Sequence, residues 1–461
     1  MLEDFKQPVS PELRENPRAY GRLRKFPRSG KRRVRTRIRT IRASTKANDV
    51  RRWENSLRPF FFFRPLSSSR PCPKTCLAGP PLLSRRRFLR WGAGLAGAGV
   101  VTAAGARAVL ELPVFGGSAS DDRLHRMAAS PNFVDGHFRN LVPVEVTAGT
   151  KSKPRAIVDF LLRDKSSLAP SGPLPADDVD FAAIPDDSLV WFGHSSFFLR
   201  KAGLTIAIDP VFGDASPVPG FGRPFPTTAP FGVDKLPALD LVVITHDHYD
   251  HLEYDTITAL RDRVARFVCP LGVGMHLERW GVAPARILEA DWWESIGVEG
   301  VCMTFTPSQH FSGRTFERDT TLWGGWVFEF ADYVLYLSGD GGYGPHFGEI
   351  KRRFPSIDLA LLEDGQYNTD WKDIHLMPAD WRRALEDLAP RAVFPTHHSK
   401  YALSTHGWKE PIEHAQASAA AVGVPLLMPR IGEVVSLARG VPGKAAQSFV
   451  VASADPWWQA L

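Results

Sequence analysis

"VVITHDHYDHLEYD" (Val242–Asp255) puts three histidines and two aspartates within six residues, directly after an apolar run. Alternate residues of an extended chain point the same way, so His246, His248 and Asp250 can converge. His251 has the other parity and joins them only if the chain turns there. The helical pattern that begins near Tyr254 says that it does. Asp247 and Tyr249 then point away. The i, i+2, i+4, i+5 spacing offers two pairs of ligands, enough to begin two adjacent metal sites. Imidazole and carboxylate suit zinc, and the same groups accept manganese or iron.

The rest of the body repeats this arrangement of an apolar run followed by a ligand-type residue. His310 follows "MTFTPSQ", Asp340 follows "YVLYLSG", and His397 follows "AVFPT". Loops at strand ends are where α/β folds gather their chemistry. Several runs ("LDLVVIT", "ARFVCPL", "IDLALLE") are continuously apolar, as strands buried on both faces are. "SLVWFGHSSFFLRKAGLTIAIDPVF" reads as two strands joined by a turn at Lys201–Gly203. Helical patterns lie between the strands. "YDTITALRDRV" sets Ile257, Leu260 and Val264 on one face, and "MPADWRRALEDLAP" sets Trp381, Leu385 and Leu388 together. The expectation is a layered α/β fold from about Asp135 onward, after loop-like lead-ins such as "SPNFVDGHFRN" and "APSGPLPADD".

"THDHYDH", followed in order by "PSQHFSG", "SGDGGY" and "FPTHHSKYAL", resembles the signature of the metallo-β-lactamase superfamily. The resemblance covers roughly Asp135 to Ala415. It implies an αββα sandwich with the site at one edge. Carried over by position, His246, His248 and His310 bind one metal. Asp250, His251 and His397 bind the second, and Asp340 bridges the two. His398, next to His397, is the alternative last ligand, but His397 sits directly after the strand. "VWFGHSSFFLRKAGLTIAIDPVF" and "HHSKYALSTHGWKEP" are similar to the branch holding N-acylphosphatidylethanolamine-hydrolysing phospholipase D and the ascorbate-6-phosphate lactonase. The chain departs from that branch at "LLEDGQYNTDW", where a Pro-Ile-Gly turn is more usual, and at His398, where the phospholipase has an aromatic.

The resemblance implies a hydrolase with two zinc ions. Two metals about 3.5–4 Å apart lower the pKa of a bridging water, and the hydroxide attacks phosphorus or a carbonyl carbon. Asp250, Asp340 and His375 are the expected catalytic residues, with His375 in "DIHLMP" stabilising the leaving group or a substrate phosphate. Asp209 in "IAIDPVF" is either an acceptor for a ligand histidine's free N–H or a turn-former before Pro210. His194 in "FGHSS" either lies near the site or satisfies backbone groups. Trp292, Trp293 and Trp371 either line a substrate groove or pack in the core. The expected activity is a phosphodiesterase of phospholipase D-like type. A lactonase or other carboxylic ester hydrolase is the alternative, and a nuclease-like protein using a basic arm is the third. The expected partner is a small-molecule or lipid substrate, met in solution or at a membrane surface. No nucleic acid is expected.

Charge divides the chain. Of 461 residues and a formal net charge of +7, residues 1–110 hold 26 of the 57 Lys/Arg but only 6 of the 50 Asp/Glu, so the body is acidic. Residues 1–83, with "KRRVRTRIRTIR" and "FFFFRPLSSSRPCPKTC", are expected to be a disordered basic extension or upstream sequence outside the working protein. Residues 84–110 resemble a twin-arginine export signal: Arg85 and Arg86, then Phe88 and Leu89, a Gly/Ala-rich apolar stretch, and small residues near Ala104–Ala108. A periplasmic or exported hydrolase domain over 111–461 is the expectation, or a cytoplasmic one if the signal does not operate. Cys269 and Cys302 lie in apolar runs without ligand spacing, as one disulfide or as buried thiols.

Overall fold

The computed structural model describes residues 107–146, 167–218, 220–438 and 456–461. The basic extension and all of the export-signal stretch before Arg107 lie outside them. The described residues all belong to the unit Leu83–Leu461.

A helix, α1 (Asp121–Ala128), starts at Ser120, whose hydroxyl accepts from the Arg123 N–H. It leads into a two-residue hairpin, β1 (Phe133–Val134) and β2 (His137–Phe138). Asp135 and Gly136 turn it, both at positive φ (53° and 83°), as a tight hairpin turn requires. "SPNFVDGHFRN" is therefore a small hairpin and not only a loop.

The first sheet begins with β3 (Ser188–Trp191), β4 (Phe197–Lys201), β5 (Leu204–Ile208), β6 (Leu239–Val243), β7 (Val264–Pro270) and β8 (Ile287–Ala290). The stretch expected to form two strands forms three, because the chain leaves the ladder at Phe192–Ser196 to present His194. The second sheet holds β9 (Ser295–Val298), β10 (Val301–Thr306), β11 (Gly325–Glu329), β12 (Val334–Leu337), β13 (Leu359–Glu363) and β14 (Val393–Thr396) in sequential order. A last strand, β15 (Val434–Ser436), returns to the first sheet and pairs antiparallel with β3. In each sheet the antiparallel half gives way to a parallel half, β5 to β8 in the first and β12 to β14 in the second.

Side-chain alternation makes the layers. Leu241 and Val243 of β6, Ile206 and Ile208 of β5, and Leu359 and Leu361 of β13 share one core between the sheets. Phe394 of β14 closes it, with ring centroids 5.4 Å from Trp191 and 5.5 Å from Phe197 of the opposite sheet. Each such side chain, fully buried, is worth about 1.5–3 kcal/mol. The intervening Val242, Ala207 and Phe267 face helices α2 (Tyr254–Leu260) and α3 (Gly274–Arg279). Ala360, Leu362 and Val393 face α4 (His346–Arg353), α5 (Pro378–Leu388) and α6 (Glu410–Val422). Helix, sheet, sheet, helix is the resulting order. Trp381, Leu385 and Leu388 lie together on the buried face of α5. Val264 does not continue α2. Arg261–Arg263 tighten into a 3₁₀ turn and Val264 opens β7. Cys269 and Cys302 are free thiols.

Candidate metal centre

The ligand-rich stretch is a loop and not the end of a strand. β6 stops at Val243, although the Ile244 N–H still donates to Val268 O (2.9 Å). His246 and His248 then share one side. The chain turns at His248, whose carbonyl accepts from the N–H groups of His251 (3.0 Å) and Leu252 (2.8 Å). The turn thus begins two residues before Asp250, earlier than parity alone suggests, and it is what brings His251 round.

Three ring nitrogens converge first. His248 Nδ1 lies 2.9 Å from His246 Nε2 and 3.2 Å from His310 Nε2. Neighbouring groups set the tautomers. His310 Nδ1 lies 2.9 Å from Ile374 O, an acceptor only, so Nδ1 carries the proton and Nε2 presents a lone pair. Thr245 Oγ1 donates to Asp209 Oδ2 (2.6 Å), so it accepts from His246 Nδ1 (3.0 Å), and His246 Nε2 is likewise bare. Burial drives His246 and His310 well below the usual imidazole range, which keeps them neutral. His246 Nε2 and His310 Nε2 thus aim two lone pairs at the His248 ring, a buried set of nitrogens that fits a cation. Asn140 clamps the His310 backbone, accepting from its N–H (3.0 Å) and donating to its carbonyl (2.7 Å).

The second group is His194, Asp250, His251 and His397, whose ligand atoms all lie within 4.8 Å of one another. His251 Nδ1 donates to Asp209 Oδ2 (2.8 Å), which turns Nε2 into the centre. Asp209 therefore does more than form a turn; its other oxygen accepts the Thr245 N–H (2.8 Å). The His194 backbone is held on both sides by the His397–His398 turn: His397 N donates to His194 O (3.1 Å), and His194 N donates to His398 O (2.8 Å). His397 and His194 sit at positive φ, 68° and 56°. Strained backbone of this kind persists where surrounding structure over-determines it, commonly at functional sites. His194 Nε2 meets Asp250 Oδ2 at 2.9 Å. His194 thus joins the site, and the strand-end rule applied to "SLVWFGH" was the signal for it.

Asp340 lies between the groups. Its Oδ1 is 3.1 Å from His397 Nδ1, and its Oδ2 is 3.2 Å from His251 Nε2 and 3.9 Å from His246 Nε2. His251 Nε2 and Asp340 Oδ1 are buried without a directed hydrogen bond, as is His194 Nδ1. Burial alone would raise the Asp340 carboxyl, but the His251 charge and hydrogen bond hold it below the usual range. An ionised carboxylate with an oxygen that has no directed hydrogen bond, deep in a cluster of histidines, fits a cation. His398 takes no part. Its Nδ1 meets Ser399 Oγ (2.8 Å), its Nε2 meets Pro395 O (3.1 Å), and its ring packs on Trp191 at 5.1 Å.

A cavity of about 300 Å³ opens over both groups, its wall including Phe311, Arg318, Trp371, His375 and Leu403. His375 stacks on His397 (5.4 Å, 20°) and meets His310 edge-on (5.2 Å). Its Nδ1 lies 2.8 Å from Glu363 Oε1, while Glu363 Oε2 accepts the Leu376 N–H (3.0 Å). Glu363, twelve residues before His375 at the end of β13, is not among the residues singled out in the sequence, although the strand-end rule applied to "IDLALLE" points to it. Trp371 is the tryptophan that reaches this cavity. Trp292 is buried in the core with its indole on Trp323 O (2.7 Å), and Trp293 lies under Arg353 (4.0 Å).

The layered sandwich, with these ligand-type side chains gathered at one edge, defines the class: a metal-dependent hydrolase of metallo-β-lactamase fold. Residues 205–398 match the model of the Beta-lactamase superfamily domain. An uncharacterised protein of Mycobacterium tuberculosis is 37% identical over 337 residues, covering 72% of this chain and 88% of that protein. The mitochondrial N-acyl-phosphatidylethanolamine-hydrolyzing phospholipase D of Saccharomyces cerevisiae is 30% identical over 234 residues, covering 48% of this chain and 50% of that enzyme. Its Caenorhabditis elegans counterpart, phospholipase D 1, is 29% identical over 230 residues, 47% of this chain and 64% of that enzyme. The chain belongs to the beta-lactamase superfamily, and over about half of its length it is similar to these phospholipases.

Proposed function

We propose that the protein is a dinuclear metal-dependent phosphodiesterase of phospholipase D type, acting on a substrate like N-acylphosphatidylethanolamine. The observation that carries this reading is Asp340, which lies between the two ligand groups: Oδ1 faces His397 of the second, and Oδ2 lies 3.2 Å from His251 of the second and 3.9 Å from His246 of the first. His246, His248 and His310 would hold one ion, Asp250, His251 and His397 the other, and Asp340 both. Imidazole and carboxylate donors suit zinc, and also accept manganese or iron. When bound, two such ions activate water near neutral pH and polarise the substrate's oxygens.

The chain's own residues do the rest. Asp209 and Thr245 hold His251 and His246 in their tautomers. His194 orients Asp250. Burial, and then the Asp340 charge, push Glu363 well above the usual carboxyl range. The 2.8 Å contact between Glu363 Oε1 and His375 Nδ1 fixes the His375 ring in the cavity wall, where it is proposed to meet a substrate or leaving-group oxygen. Arg318 adds positive charge at the mouth, and Phe311, Trp371 and Leu403 give the wall apolar surface suited to an acyl chain. The names of the two phospholipase relatives support the same bond. Export to the periplasm rests on the Ser84–Ala108 stretch alone. The lipid substrate is proposed to be met at a membrane surface; among the described residues, no helix is long and apolar enough to cross a membrane.

The test is metal-loaded protein assayed on bis(p-nitrophenyl) phosphate, N-acylphosphatidylethanolamine and a lactone panel, beside Asp250→Ala. Diester cleavage that vanishes in the variant is expected. Lactone turnover without diester cleavage would replace this reading with the lactonase one, and unchanged metal content and turnover in Asp250→Ala would remove the ligand assignment.

A further inference from the structure

Asp247 lies between two proposed ligands and points away from them, into a second cavity of about 320 Å³ that Gly116, Gly117, His276 and Arg314 also line. The segment Glu111–Gly117 crosses this region and is tied down at four points. Arg279 Nη2 donates to Glu111 O (2.7 Å), Trp280 Nε1 to Pro113 O (2.7 Å), and Arg314 Nη2 to Val114 O (2.7 Å). Gly117 N donates to His276 Nδ1 (3.0 Å).

Two of these ties continue to the metal loop. A backbone N–H can only donate, so His276 Nδ1 accepts and its proton sits on Nε2, which donates to Asp247 Oδ2 (3.3 Å). Asp247 Oδ1 accepts the Gly313 N–H (2.8 Å). Arg314 Nη1 donates to Asp247 O (2.7 Å) and to Leu252 O (2.7 Å), clasping both ends of the loop, while its guanidinium covers the Tyr249 ring at 4.1 Å. Arg314 is almost wholly buried, so its donors depend on these carbonyls. At Gly116 and Gly117 the segment runs so close to α3 that a side chain is excluded. A Cβ on Gly116 would lie 2.1 Å from His276 Nδ1, and one on Gly117 would lie 2.3 Å from Met275 O.

We propose that Glu111–Gly117 is a positioning strap for the first metal centre, acting through His276 on Asp247, the residue that joins His246 to His248. The proposal rests on the reading of His246, His248 and His310 as ligands. Removing a partner that orients a ligand typically costs about 10–100-fold in metal affinity. A strap that only covered apolar surface would affect both metal centres alike or neither.

The test uses the full-length, zinc-loaded chain with Gly116→Ala, which drives the strap off His276. Trp280→Phe, which removes the tie to Pro113 and keeps an aromatic ring against His276 and Arg314, is the milder variant and decides the matter if Gly116→Ala does not fold. Stepwise release of the two ions to a chelating dye is followed, with His248→Ala and His397→Ala identifying the step that belongs to each centre. Hydrogen exchange over residues 111–117 and 246–252 is read in the same proteins. The expected result is release of the first ion faster by about 10–100-fold in Gly116→Ala and by less in Trp280→Phe. The second step should be unchanged, and exchange at 246–252 should rise. Faster exchange at 111–117 with neither ion released faster, or with both released equally faster, overturns the strap. If His248→Ala loses no ion, the ligand reading fails instead.

Discussion

At the scale of single residues, adjacent histidines have opposite fates. His397 and His398 follow the same strand, yet only one turns into the centre. The positive φ of His397 swings its ring toward Asp340, and His398 spends both ring nitrogens on Ser399 and Pro395. His397→Gln is therefore expected to lose one of two bound ions and nearly all turnover, while His398→Gln keeps both ions. Metal analysis of the two purified variants checks this, and equal loss from both would reverse the assignment. The order of residues favoured His397 for its place after the strand, but the backbone strain and the two local bonds that settle the matter are not visible in a string. Asp209 is a similar case. Either reading suited "IAIDPVF", and only the meeting of β5 with the Thr245–His251 loop makes it a partner for His251 Nδ1.

At the scale of elements, the strands were legible because alternation has a short period and each face of these sheets has a use. The ends were less so. The His248 turn, the break at Phe192–Ser196 and the 3₁₀ turn before Val264 all answer to tertiary contacts. α4 illustrates a cost that the sequence hides. Its first residue, His346, is buried, and burial lowers its pKa to about 3 from an ordinary 6.5. Below pH 6.5 the unfolded chain binds a proton that the folded chain refuses until about pH 3, so stability falls as pH falls through that window. His346→Leu is expected to flatten the acid limb of the stability curve. Urea unfolding midpoints between pH 7 and pH 4 measure it, and parallel curves for the two proteins would count against the buried neutral imidazole.

At the scale of the whole molecule, the proposed ligands come from four separated stretches of chain, and the two sheets are what bring those stretches to one edge. Such a centre concentrates buried carboxylates and bare nitrogens that stabilise the fold only when a cation lies among them. Chelation is thus expected to abolish turnover and lower the thermal midpoint, and zinc to restore both; a midpoint that does not move would mean the centre holds no ion in the native protein. By itself the sequence determined the class. The H-x-H-x-D-H spacing and the ligand-type residues at later strand ends are local patterns, and local patterns follow from alternation and turn chemistry. Only the tertiary structure decided which residues serve the centre from a distance: His194 on Asp250, Glu363 on His375, and the strap on Asp247. Those contacts join residues 12 to more than 150 positions apart. No periodicity encodes such a pairing; it exists because packing two sheets and their helices around one core leaves these side chains facing one another.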